Sequence, residues 1–367
     1  MHQDNKWKHI WRLMKDKRLG VLALQETHLT NERVDEITNH YGKKFHVFAS
    51  HDPTNPTGRG GVAIVINRRL ILVDKPKTYE IIPGRALLLQ VTIHKKDKLN
   101  ILAVYAPNVS GSNGSENAQC WQDIKTYFDT RPNAPKPDIM LGDHNMVEAG
   151  LLDQIPAHDD PEEASSALDD LKILLKLRDG WRMTYPNERT FTYMQPASGS
   201  QSRIDRIYVT DPLLETAREW KIRESGIPNA DHSLASVQIT SEEAPWSGKG
   251  RWRIPDYVIK DKDFLSYIRE QGIKAVQKLR VLTLRTQTNN AQTIWHAFKE
   301  KVTHKAKERA KWIIPGLTRK LNETQLELDR TLNDIELTEA QKTERARKLK
   351  LKHVYRRYRM MAEHATD

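Results

Sequence analysis

The chain carries a single cysteine, Cys120, so no intramolecular disulfide can form and no cysteine-based zinc site can be built. Cys120 itself reads as a small packing residue. No run of about 18 apolar residues occurs, which removes a membrane-spanning helix. The opening Met1-His2-Gln3-Asp4-Asn5-Lys6 lacks the apolar core of a secretory signal. These absences lead us to expect a reducing compartment, nuclear or cytoplasmic. No repeat of fixed period is present. Acidic charge is scarce in only one place. Residues 245–367 hold 28 Lys and Arg against 15 Asp and Glu, whereas the rest of the chain is nearly balanced. The net charge of +11 therefore belongs to the C-terminal third. Such asymmetry suits a polyanionic partner, nucleic acid before membrane, although a solvated helix would show it too.

What the chain does contain changes character near residue 240. Before it, short apolar runs at 20–25, 61–66, 87–93, 100–105, 138–142, 206–209 and 234–239 end in turn formers and read as strands. Residues 7–17 place Trp7, Ile10, Trp11 and Met14 at helical spacing, and 31–41, 118–131 and 167–177 also read as helices. This mixture predicts an α/β sandwich with helices on its sheets. Residues 241–255, with Pro245, Gly248 and Gly250, read as a linker between a domain at 1–240 and a basic extension at 256–367. The extension shows only helical signals, with a break expected at Pro315-Gly316. Leu317, Leu321, Leu328, Leu332 and Ile335 lie near heptad spacing, as in a coiled-coil or hairpin arm able to self-associate.

Five motifs sit where strands begin or end. Leu24-Gln25-Glu26 puts a carboxylate directly after a buried run, which makes Glu26 a candidate hard-cation ligand, or else a capping residue. Tyr105-Ala106-Pro107-Asn108 stops a strand at Pro107 and leaves Tyr105 and Asn108 on its border. Gly142-Asp143-His144-Asn145 offers a general base beside a neutral amide, a pair that turn chemistry alone also favours. Ser202-Arg203-Ile204-Asp205 places a carboxylate in an apolar strand, where it needs a partner such as an imidazole. Ala230-Asp231-His232 precedes the last strand and is weak taken alone.

In this order, the five motifs resemble the endonuclease/exonuclease/phosphatase superfamily, whose fold is the deoxyribonuclease-I-like four-layer α/β sandwich. The phrases at 20–29, 142–148, 179–184, 200–208 and 248–255 are similar to the endonuclease region of fungal LINE-type retrotransposon polyproteins. The resemblance implies that Glu26 and Asp231 serve a Mg²⁺ ion, with Mn²⁺ as a substitute. It implies that Asp143 activates water and that Asn145 holds the scissile phosphate. His232, oriented by Asp205, would stabilise the developing charge, and Tyr105 would donate to the phosphate. Asn108, Thr192 and Arg203 would border the substrate, DNA, with no membrane involved.

This sequence departs from that pattern at three places. The family opens with a strand ahead of the first helix, and none is legible before Trp7, so a gap in the central sheet is expected. His144 stands where Phe is usual, and we expect its ring to pack. Ala230 replaces a usual Ser, which removes one hydrogen bond. An inactive nucleic-acid-binding remnant and a phosphatase of the same superfamily remain the alternatives to a nicking endonuclease.

Overall fold

The computed structural model describes residues 4–71, 74–92, 98–110, 113–227, 230–240, 252, 254 and 256–362. Most of the 241–255 linker, with most of the phrase at 248–255, lies outside the described residues. The chain forms two compact units. The first takes in 1–244, ending within the 241–255 stretch read as a linker, and also 329–348.

The first unit begins with α1 (Asp4–Lys17), which turns through three residues into β1 (Val21–Gln25). Then come α2 (Asn31–Tyr41), capped by the Thr30 hydroxyl, and β2 (Phe45–Ser50) and β3 (Val62–Asn67). A meander follows of β4 (Lys77–Ile82), β5 (Ala86–Thr92) and β6 (Lys98–Tyr105). Helix α3 (Ser115–Thr130) crosses over to β7 (Ile139–Asp143), which pairs parallel to β6. Short α4 (Gly150–Asp153) and β8 (Gln154–Ile155) lead to α5 (Glu162–Leu175), β9 (Leu177–Asp179) and α6 (Gly180–Thr184). The hairpin of β10 (Tyr193–Met194) and β11 (Gln201–Ser202) precedes β12 (Asp205–Thr210), α7 (Asp211–Thr216), β13 (Arg218–Glu224) and β14 (Ser233–Gln238).

These elements stack in four layers. The six-stranded sheet has the order β4-β5-β6-β7-β12-β9. Its outer face, with Leu88, Leu102, Val104, Met140 and Tyr208, packs under α3 and α5 through Trp121, Ile124, Leu168 and Leu171. Its inner face, with Leu87, Leu89, Ile101 and Ala103, meets Val62, Ile64 and Ile66 of β3. Beyond β3 lie α1 and α2, where Trp7, Ile10, Leu13 and Met14 bury against Leu22, Phe45 and Val47. Burial of each such side chain is worth roughly 1.5–3 kcal/mol, so α1 owes its place to this one face. The second sheet layer is in two pieces, β1-β3-β2 and β13-β14. Among the described residues no strand pairs with the second edge of β1.

The second unit is helical, with α8 (Asp256–Ile259), α9 (Lys262–Arg280), α10 (Ala291–Asn333) and α11 (Glu339–Ala362), the last two shared with the first unit. Val258, Phe264, Ala306 and Ala310 form its small core. Asp261 caps α9 and pairs with Arg309 at 2.6 Å. The break expected at Pro315-Gly316 does not occur, because α10 runs through both residues. In the first unit the 329–348 segment is tied down by Arg189, which bonds Asn333 through its amide and Glu339 at 3.0 Å.

Candidate active site

Three strand ends of the six-stranded sheet stand abreast. Tyr105 of β6 lies opposite Asp143 of β7, which lies opposite Asp205 of β12. Residues in one register point to one face, and here it is the inner face, shared with Ile101, Leu141 and Ile207. The close spacing of β6 and β7 depends on Gly142. Its φ is +145°, and a Cβ there would lie 1.9 Å from the Val104 carbonyl oxygen.

The second layer supplies the other two groups. Glu26 follows β1 in a left-handed conformation (φ 48°) and accepts a hydrogen bond from the Tyr105 hydroxyl. The Arg85 guanidinium lies 4.7 Å from the Tyr105 ring centre and donates to its backbone carbonyl. Burial, then the bond to Glu26, raises the Tyr105 phenol above its ordinary range. His232, immediately before β14, bonds the Asp205 carboxylate through Nδ1 at 2.8 Å. Burial opposes charge on this ring, but the Asp205 bond and the carboxylates of Asp205, Asp143 and Asp231 outweigh it and hold the imidazole up at about 9.

Asp143 lies between these two pairs. It is buried, and its Oδ1 accepts from the Asn145 amide at 2.9 Å. Burial first, and then the neighbouring Asp205, raises its pKa well above the carboxylate range, while His232 pulls the other way. Asn145 (φ 50°) donates its side-chain amide to the Ala106 carbonyl, which leaves its second N–H open. Asp231 is exposed beside His232. Asn108 is exposed on its loop, where its Oδ1 is held by Ser110.

Two expected substrate contacts are corrected. Thr192 is fully buried, and its hydroxyl accepts from the amides of Ile204 and Asp205 at 3.1 and 3.0 Å. It therefore positions Asp205 and does not face substrate. Arg203 is also buried, with its guanidinium spent on Asp153 and Asp179 at 2.7 Å each. Together with Arg206, Arg182 and Glu148 it forms an ionic cluster in which Arg203, Arg206 and Asp153 are closed to solvent. There the Asp153 carboxyl, despite its burial, is held far below its usual range by Arg206 and Arg203. His144 packs as expected, stacked 5.3 Å from Trp121 and edge-on to Tyr208.

Sequence reading missed Tyr193, whose ring centre lies 4.9 Å from that of His232. It also missed Arg85. Tyr193 directly follows Thr192, and the one signal for it was an aromatic beside an expected site residue. Arg85 carried no signal.

Comparisons with known proteins bear on the family and the fold. Residues 4–241 match the Endonuclease/Exonuclease/phosphatase family. The Transposon TX1 uncharacterized 149 kDa protein of Xenopus laevis is 29% identical over 263 residues, which is 70% of this chain. The chain spans about a fifth of that relative's length, 19%. Among solved structures, a 3′-5′ exonuclease of Neisseria meningitidis aligns with a TM-score of 0.51 at 18% identity, covering 64% of this chain and 94% of its own. An AP endonuclease of Archaeoglobus fulgidus aligns with a TM-score of 0.51 at 19% identity, with the same coverages. At these identities the structures bear on the fold alone.

Proposed function

Because this chain belongs to the endonuclease/exonuclease/phosphatase family, we propose that it hydrolyses phosphodiester bonds of DNA, nicking one strand with the help of a divalent cation, Mg²⁺ or Mn²⁺. One observation carries the reading: a buried Asp143 with a raised pKa, flanked by a Glu26–Tyr105 pair and an Asp205–His232 pair. A carboxylate poised to accept a proton suits a general base. A cationic imidazole suits the charge that builds on a phosphoryl oxygen. The transposon origin of one relative favours DNA over a small phosphate ester.

The donor set fits a hard cation. Among the described residues no three His, Cys, Asp or Glu side chains converge to enclose a metal. Mg²⁺ needs no such cage, since it is commonly held by one or two carboxylates and otherwise by water. Glu26 would hold it, with Asp231 ordering its waters. Bound there, the cation would supply Lewis-acid polarisation of the phosphoryl group. Asp143 would take the proton of the attacking water. The open N–H of Asn145 would bind a non-bridging oxygen, and Tyr105 would donate to the same phosphate once its hydroxyl leaves Glu26. His232 would donate through Nε2 while Asp205 holds Nδ1. The expected products carry 5′-phosphate and 3′-hydroxyl ends.

The test is supercoiled plasmid with Mg²⁺, with the wild-type chain and Asp143→Asn in parallel. We expect nicking that EDTA abolishes and that falls about 10²–10⁴-fold in the variant, the range for loss of a general base. No nicking by folded wild-type protein overturns the proposal. The split second sheet favours one other reading, a binding protein without hydrolysis. DNA binding that survives EDTA, with no nicking, would select it.

A further inference from the structure

The smallest three-stranded sheet of the first unit is too short to fix its own position. β8, β10 and β11 contribute two residues each, with β11 in the middle. Strands usually run about five or six residues, and a sheet this small needs support from outside its own ladder. Yet it walls the candidate site on the His232 side. Tyr193 of β10 bridges to His232 through the backbone, and the two ring centres lie 4.9 Å apart. Thr192, directly before β10, accepts from the amides of Ile204 and Asp205, and its carbonyl accepts from the Ser233 amide. A shift of β10 therefore moves both members of the Asp205–His232 pair.

The support on the other side of this sheet comes from 329–348, which belongs to the first unit but lies outside the 4–241 family match. The Arg189 amide donates to the side-chain oxygen of Asn333, the last residue of α10, at 3.2 Å. The Arg189 guanidinium donates to both Glu339 oxygens, at 3.0 and 3.1 Å, and to the Gln154 carbonyl of β8 at 2.8 Å. It also lies 5.9 Å from the ring centre of Phe191, which precedes Thr192. One buried arginine thus joins the α10–α11 turn to β8 and to the entry of β10. At the far end of the hairpin, Arg347 donates to the Pro196 carbonyl at 3.3 Å. Its stem lies so close to the β10–β11 turn that a Cβ on Gly199 would meet its Cδ at 2.7 Å. Glu339 and Arg347 both belong to α11, about 12 Å apart along the helix axis and on one side of it. α11 therefore holds the small sheet at its base and at its tip.

We propose that Glu339 and Arg347 are positioning residues of the candidate site: α11 fixes the β10-β11-β8 sheet so that Thr192 and Tyr193 keep Asp205 and His232 in place beside Asp143, a role that rests on the phosphodiesterase reading above. Neither residue touches the substrate, and both act through the hairpin. Half-exposed polar contacts of this kind add little to global stability. What they set is the place of a sheet that cannot set its own. Catalysis is sensitive to that place, since a misplacement of about 1 Å can cost roughly 100-fold in rate.

The test uses the full chain with Glu339→Ala and Arg347→Met together, and separately with Glu339→Gln and Arg347→Lys together. The first pair removes the ion pair and the Pro196 bond, whereas the second keeps a hydrogen-bonding group at both places. We expect the first variant to unfold in urea close to wild type. The Thr192, Gln195 and Gly199 amides, which are hydrogen-bonded within the hairpin, should exchange roughly tenfold faster or more. Nuclear Overhauser contacts between the Tyr193 and His232 rings should weaken. The kcat for nicking should fall about three- to thirtyfold with KM little changed, and the conservative variant should recover most of each loss. Unchanged exchange and ring contacts in the first variant overturn the proposal. Faster exchange with unchanged ring contacts and kcat also overturns it, and reduces α11 to an anchor for the helical extension. A wild-type chain that does not nick overturns the phosphodiesterase reading instead, and the exchange and ring contacts then decide whether Glu339 and Arg347 hold His232.

Discussion

His144 shows how one residue can serve packing and still carry a liability. Its ring lies between Trp121 and Tyr208, its Nδ1 meets the Gly142 carbonyl at 3.0 Å, and its Nε2 is buried with no partner among the described residues. Burial, with the Arg206 charge, lowers its pKa to about 3. The unfolded chain protonates this ring near pH 6.5, but the folded chain does not until about 3. Between those values the unfolded state holds more protons, so stability falls as pH falls, by about 1.4 kcal/mol per pH unit. His144→Phe keeps the stacked ring and removes the titration. We expect urea melts of the variant between pH 6.5 and 4.5 to lose this slope, with nicking at pH 7.5 retained. A slope equal to that of wild type would show that other groups set the acid response. At the same scale, Asp205→Asn removes the main support for the His232 cation. Its imidazole should titrate well below the present value of about 9, and NMR titration of the ring reads this directly.

Elements decide which of these residues meet. Thr192 lies between the β10–β11 hairpin and the start of β12, accepting from two buried amides, while its own carbonyl accepts from Ser233 N–H at 2.6 Å. It links the strands that carry Asp205 and His232. Thr192→Val leaves those amides unpaired at a cost of about 1–3 kcal/mol each. We expect a lower melting temperature, a fall in kcat with KM little changed, a lower His232 pKa, and substantial rescue by Thr192→Ser. An unchanged imidazole pKa would reduce Thr192 to a packing role. The strands that carry the site were legible because they are central: buried on both faces, β3, β5, β6 and β7 read as apolar runs. β4 and β13 were missed because they are edge strands, and their polar, charged sequences resemble loops. Glu26, Tyr105, Asp143, Asp205 and His232 were found from strand-end motifs. Arg203 and Thr192 were misread because sequence order says nothing about which side of a strand end faces solvent. Tyr193 was overlooked because the bridge that places it beside His232 joins residues far apart in the chain.

At the scale of the whole molecule, charge and chemistry occupy different parts of the chain. The site lies in a region with nearly equal numbers of acids and bases, whereas the excess of cations lies beyond residue 244. A nearly neutral unit gains little from long-range attraction to a polyanion, so the basic helices are where salt-sensitive affinity should reside. On α10, Lys299, Lys301, Lys307 and Lys311 are exposed. Changing all four to Gln alters charge without touching a core, and should leave the fold intact. Each phosphate that is no longer neutralised reduces the slope of log K against log salt by about 0.9 for duplex DNA. We expect duplex binding in EDTA to weaken at about 50 mM salt and its slope to drop by roughly two to four in the quadruple variant. Cleavage at saturating DNA should stay near the wild-type rate, because none of the four lysines belongs to the site. An unchanged slope would mean that these lysines stay solvated while DNA is bound. A lower maximal rate with unchanged binding would instead place the helices in the catalytic step.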